Sequence, residues 1–103
     1  MNVRDLFARA RTAFRIGDTQ LAENLLGQVL EARPRMSQAH NLLGLVCDRA
    51  GSYSQAVEHF QRAIELRPDD WVPHRKLGVY YFNYGDPELA LAEFNTVIEM
   101  APE

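Results

Sequence analysis

The hydrophobic positions of this chain recur at intervals of three and four, and small or helix-breaking residues interrupt them at fixed places. Between residues 37 and 68, Leu42, Leu43, Val46 and Cys47 form one stripe, and Val57, Phe60, Ala63 and Ile64 form a second. That spacing puts each stripe on one face of an α-helix, so the pattern predicts two helices flanking Gly51. A glycine at the break can adopt the left-handed backbone that ends a helix. The residue after it offers a side-chain oxygen to cap the next helix: Asp18, Ser52 and Asp86 occupy that place. Ser52 with Gln55 predicts a capping box, and Pro87 sits where a helix tolerates a missing N–H. Pro34, Pro68 and Pro102 stop the second helices, with Arg33 and Arg67 placed to favour the negative helix end.

The whole arrangement repeats every 34 residues. Gly17, Gly51 and Gly85 share this period, as do Ala22, Ala56 and Ala90, then Leu26, Phe60 and Phe94, then Leu30, Ile64 and Ile98, and the acids Glu31, Glu65 and Glu99. No gap breaks the register. The units run over residues 3–36, 37–70 and 71–103, the last one residue short, and residues 1–103 are expected to form one all-α domain of six antiparallel helices. A unit of two helices cannot bury its apolar face alone, so stacking between neighbours must supply the stability.

Composition narrows the function. With 47% hydrophobic and 24% charged residues the chain has enough apolar surface to fold as a globular protein. A net charge of −3 gives it no general attraction for phosphate backbones, which excludes nucleic acid as the expected partner. The charge is uneven. Arg4, Arg9, Arg11 and Arg15 face only Asp5 in the first fifteen residues, whereas residues 83–103 hold five acids and no base. Cys47, the single cysteine, lies in an apolar run and reads as a small core residue. That run is far shorter than the roughly 20 residues of a membrane span. The first residues also lack an uninterrupted apolar leader, so a cytoplasmic location with no membrane association is expected.

The 34-residue period, the small residues Ala10, Gly44 and Gly78, then Ala22, Ala56 and Ala90, and the closing prolines resemble the tetratricopeptide repeat family. The second unit carries the resemblance best, with Leu43-Gly44, Gly51, Tyr53, Ala56, Phe60, Ala63 and Pro68 in register. The first departs from it: Arg9 stands where Leu43 and Leu77 stand, and Thr19 replaces Tyr53, which suits a unit with no predecessor. The resemblance implies a right-handed α-solenoid with first helices lining a concave groove and second helices forming the convex back. It also implies that the groove binds another protein or a peptide. Carried over by position, the groove residues are Arg4, Phe7, Arg11, Phe14 and Arg15, then Gln38, Asn41, Leu45, Asp48 and Arg49, then Val72, Arg75, Val79, Phe82 and Asn83. Five arginines against one aspartate, interleaved with aromatic residues, suit an acidic peptide with apolar anchors. A family subtype grips the terminal carboxylate of heat-shock chaperones with lysines, asparagines and an arginine. Phe7, Arg11, Leu42, Val72 and Lys76 stand at those positions and do not supply that clamp.

No spacing for catalysis or for a cofactor is found: no phosphate-cradling glycine loop, no H-E-x-x-H, no cysteine pair and no glycine-flanked nucleophile. His40 and His74 occupy equivalent places in successive units, too far apart to share a metal. Asp69-Asp70 reads as a cap for the next helix. A second reading is structural. With no solvating helix after the third unit, an apolar face including parts of Leu91, Phe94, Val97 and Ile98 is expected to be open. The basic first helix and acidic last helix would then favour head-to-tail self-assembly, unless the chain is a regulatory fragment of a larger protein.

Overall fold

A computed structural model describes residues 1–101; Pro102 and Glu103, and with them the proline closing the third unit, lie outside the described residues. The described residues form six helices and no strand: α1 (Val3–Arg15), α2 (Thr19–Ala32), α3 (Ser37–Arg49), α4 (Tyr53–Leu66), α5 (Val72–Asn83) and α6 (Pro87–Met100). They pair as the antiparallel hairpins α1/α2, α3/α4 and α5/α6, and each hairpin stacks on the next through α2 against α3 and α4 against α5. The result is an elongated solenoid of 42 × 26 × 22 Å.

The hairpin turns follow from three residues each. Gly17, Gly51 and Gly85 take φ of 88°, 83° and 87°, a region costly for any residue with a Cβ. The reversal lets the next N–H reach back across the helix end: Asp18 donates to the Ala13 carbonyl at 2.9 Å, Ser52 to Cys47 at 2.8 Å and Asp86 to Tyr81 at 2.9 Å. Asp18 Oδ1 then accepts the Leu21 N–H and Asp86 Oδ1 the Leu89 N–H, at 3.0 and 3.2 Å. The expected capping box at Ser52 and Gln55 does not form, because the Ser52 N–H that Gln55 would accept is already bonded to Cys47 and the Ser52 side chain caps nothing. Gln55 Oε1 instead points to Cys47 Sγ at 4.0 Å. The N-cap of α5 is Trp71, with no side-chain cap, and Asp70, expected to cap this helix, accepts the Val72 N–H at 3.0 Å from one residue further out.

Small residues set the helix spacing. Ala10, Ala22, Ala56 and Ala90 are buried, and the ring of Phe60 lies on Gly44 so closely that a Cβ there would come 2.5 Å from Phe60 Cε1. Phe94 sits in the same way on Gly78. The core is heaviest in the first two hairpins, where Leu25, Leu26, Val29, Leu42, Leu43 and Val46 pack together. It thins toward the third, where only Ala90 of α6 is buried. Cys47 belongs to this core; burial, and secondly the charge of Glu23, push its thiol pKa up, which disfavours a reactive thiolate.

Candidate functional site

Two clefts draw on residues of the first helices α1, α3 and α5, the second also on α4. Arg11, Phe14 and Arg15 of α1 with Leu42 and Leu45 of α3 enclose the first, of about 420 Å³. Asp48 of α3, Tyr53, Ala56, Val57 and Phe60 of α4, and Arg75, Lys76, Val79, Tyr80, Asn83 and Tyr84 from α5 and its end enclose the second, of about 390 Å³. The first presents mostly apolar surface and the second more polar than apolar surface, and each has two cations in its lining. Among the described residues none of Arg11, Arg15, Arg75 and Lys76 forms an ion pair, so their charge is available to an incoming anion.

The residues expected in the groove are not all brought together. Arg11, Phe14, Arg15 and Leu45 come together in the first cleft, and Asp48, Arg75, Val79 and Asn83 in the second. Arg4 is exposed on the first turn of α1, and Phe82, 70% exposed, lies outside both clefts. Phe7 is half-buried against the first core cluster, with the Arg11 guanidinium 5.6 Å from its ring centroid. Arg49 does a different job from the one expected. Its guanidinium donates to the Phe14 carbonyl at the end of α1 and stacks 3.8 Å over the Phe14 ring, tying α1 to α3. That carbonyl also accepts the Gly17 N–H at 3.1 Å, so Arg49 is its second donor, and Arg49 lines neither cleft. Asn41 is half-buried, and its Oδ1 has no hydrogen-bond partner among the described residues.

Tyrosines were missed by the reading of the sequence. The ring centroids of Tyr53 and Tyr84 are 4.9 Å apart, those of Tyr80 and Tyr84 4.8 Å, and those of Tyr53 and Tyr80 6.3 Å. Positions 80 and 84 share a helix face at i, i+4 spacing, which was a visible signal. Tyr53 joins them only through the stacking of α4 on α5. The pKa of the Tyr84 hydroxyl is pushed up to about 12, first by its hydrogen bond with Tyr53, so this hydroxyl keeps its proton in ordinary solution.

The histidines are structural in geometry. His40 Nε2 lies 3.1 Å from the Pro34 carbonyl, its ring stacks on His59 with centroids 5.9 Å apart, and His74 Nδ1 contacts Glu93 Oε2 at 3.2 Å. Burial, followed by the nearby His40, holds the His59 pKa below its ordinary 6.5. Among the described residues, no cluster of three or more His, Cys, Asp or Glu could hold a metal, and no helix is long and apolar enough to cross a membrane.

The expected open face is present in part. Leu91 is 61% and Ile98 76% exposed. Phe94 and Val97 are half-buried, Phe94 because its ring rests on Gly78, so it is a packing residue of its own hairpin more than a free anchor. At the opposite end Ala8, Arg9, Thr12, Ala13, Ile16, Leu21 and Leu25 line a hollow of about 390 Å³.

The model of the tetratricopeptide repeat family matches residues 7–70. Among solved structures, MamA from Desulfovibrio magneticus RS-1 is 27% identical with a TM-score of 0.87, over 92% of this chain and 54% of that one. A MamA of AMB-1 is 30% identical with a TM-score of 0.82, over 96% of this chain and 54% of that one. The present chain thus spans little more than half the length of these proteins. A mutant O-GlcNAc transferase of Thermobaculum terrenum is 30% identical with a TM-score of 0.89, over 98% of this chain but only 19% of the transferase chain. Tetratricopeptide repeats are typically non-catalytic scaffolds for contacts between proteins, and this small share of the transferase carries no claim about its chemistry.

Proposed function

Because the chain belongs to the tetratricopeptide repeat family, we propose that its concave face binds an extended peptide segment of another protein through the two clefts, carboxylates meeting arginine and apolar side chains filling the floors. One observation carries this reading: Arg11 and Arg15 line one cleft and Arg75 and Lys76 the other, and among the described residues none of the four forms an ion pair. Exposed ion pairs contribute about 0.2–1 kcal/mol each, so several must act together, and reversing three charges adds repulsion to the loss. The test immobilises the chain beside its Arg11→Glu, Arg15→Glu, Arg75→Glu variant and pans both against a displayed random-peptide library. Enrichment of acidic, leucine- or phenylalanine-bearing peptides by the parent alone, with equal helicity of both proteins, supports the reading; the same peptides on both, or none on either, refutes it.

A second reading is favoured by the ends of the array. Leu30 and Ile64 are half-buried, whereas the equivalent Ile98 is exposed. The hollow bounded by Ile16, Leu21 and Leu25 lies at the basic end of the chain, and α6 carries Glu88, Glu93 and Glu99. Apolar ends of opposite charge support head-to-tail association of copies. Under this reading the mass in solution rises with concentration and Ile98→Glu abolishes the rise; a constant monomer mass removes it.

A further inference from the structure

We infer that the cleft between the second and third hairpins is bipolar, and that the segment it takes carries a carboxylate at one end and a guanidinium or ammonium side chain at the other. This rests on the peptide-binding reading and specifies its ligand. The two ends of the cleft differ in chemistry. Arg75 and Lys76 stand near the start of α5, whereas Tyr84 follows its last residue. Nine residues of helix separate Arg75 from Tyr84, about 13 Å at 1.5 Å per residue.

At the far end the rings of Tyr53, Tyr80 and Tyr84 form a cluster, and Tyr84 remains 54% exposed although it touches two other rings. Asp48 lines the same cleft, and its negative charge reaches the Tyr84 hydroxyl. Because that hydroxyl keeps its proton, Asp48 supplies the negative charge at this end, and it forms no ion pair among the described residues. Aromatic faces with a carboxylate beside them attract a cation by both the ring quadrupole and direct charge. A purely apolar anchor would cover Asp48 without pairing it, and a second carboxylate would be repelled. An extended peptide advances about 3.3 Å per residue, so the two charged side chains of the ligand are about four positions apart.

The test uses three fluorescein-labelled synthetic peptides, identical except at one position. Each has two glutamates at one end and a leucine-alanine middle, and four residues further on carries arginine, leucine or glutamate. Fluorescence anisotropy against the whole chain is expected to rank arginine about tenfold tighter than leucine, with glutamate weakest. Asp48→Asn and Tyr84→Ala each bring the arginine-over-leucine preference close to one, while Tyr84→Phe, which keeps the ring, retains it; circular dichroism verifies that every variant is folded. Leucine or glutamate peptides binding as tightly as the arginine peptide overturn the inference and leave the groove reading standing, provided Arg75→Glu weakens all three. A preference that survives either Asp48→Asn or Tyr84→Ala also overturns it. No binding of any peptide to the parent overturns both.

Discussion

Adding one methyl group at three helical glycines should change stability in opposite directions, and the structure predicts the order. Gly27 lies within α2 with nothing within 4 Å of the position its Cβ would take. Gly27→Ala therefore gains the helix propensity of alanine without a clash, about 1 kcal/mol. At Gly44 the same methyl would stand 2.5, 2.6 and 2.8 Å from three atoms of the Phe60 ring. A carbon–carbon contact wants about 3.5–4.0 Å, so the ring must retreat by about 1 Å. It has little room to do so: Phe60 is 3% exposed and packs with Cys47, Ala56 and Leu77. Overpacking of this kind costs about 1–3 kcal/mol, and the pinned ring puts it at the upper end. Set against the 1 kcal/mol of propensity, the net loss at Gly44→Ala is about 2 kcal/mol. Gly78 is intermediate, because Phe94 lies 2.7 Å from the added carbon but is half-buried and free to swing outward. Thermal unfolding followed by circular dichroism reads the series, since 1 kcal/mol moves the Tm of a domain this size by about 4–8 °C. Tm is expected to rise for Gly27→Ala, change least for Gly78→Ala and fall for Gly44→Ala. A Gly44→Ala protein as stable as Gly27→Ala would refute the ring-on-glycine account of helix spacing.

Other substitutions probe other contacts. Ala56→Trp, at a buried position in the α3/α4 hairpin, is expected to wedge the central pair apart and abolish the cooperative thermal transition. Arg49→Ala removes the tie between α1 and α3 and is expected to lower stability by about 1 kcal/mol, read as a lower urea midpoint; Arg49→Lys should recover little of it, because the planar stack on Phe14 is lost. His59, with its folded pKa held below 6.5, binds its proton more readily in the unfolded chain. Stability is therefore greatest above pH 6.5 and falls as pH drops through that value toward the lower folded pKa. Urea midpoints between pH 7.5 and 5.5 should show this decline, and His59→Gln should reduce it.

The helical hairpins were legible because their signals are local. Gly17, Gly51 and Gly85, the capping aspartates and the apolar spacing all act within one turn or one helix, and the 34-residue period repeats them in register. Contacts that cross between hairpins were not legible. The reach of Arg49 to the Phe14 carbonyl spans 35 residues, and Tyr53 meets Tyr80 and Tyr84 only when α4 and α5 are stacked. Sequence position assigned Arg49 to the groove but could not say that its guanidinium is bonded to the end of α1. Ser52 failed as a capping box for a related reason: the turn that positions it also consumes the N–H that Gln55 would have accepted. Likewise, the period marked Phe94 as a position awaiting a neighbour, while the glycine 16 residues before it had already given its ring a seat.

The face that binds the partner is the central claim, and amide NMR shifts on adding a peptide selected by the parent chain test it most directly. The account predicts shifts and line broadening at Arg11, Leu45, Asp48, Val79 and Asn83, with the exposed backs of α2 and α4 silent. Shifts confined to Leu91, Ile98 and their neighbours on α6, with the clefts unperturbed, would contradict it and give the end of the array the role proposed for the groove.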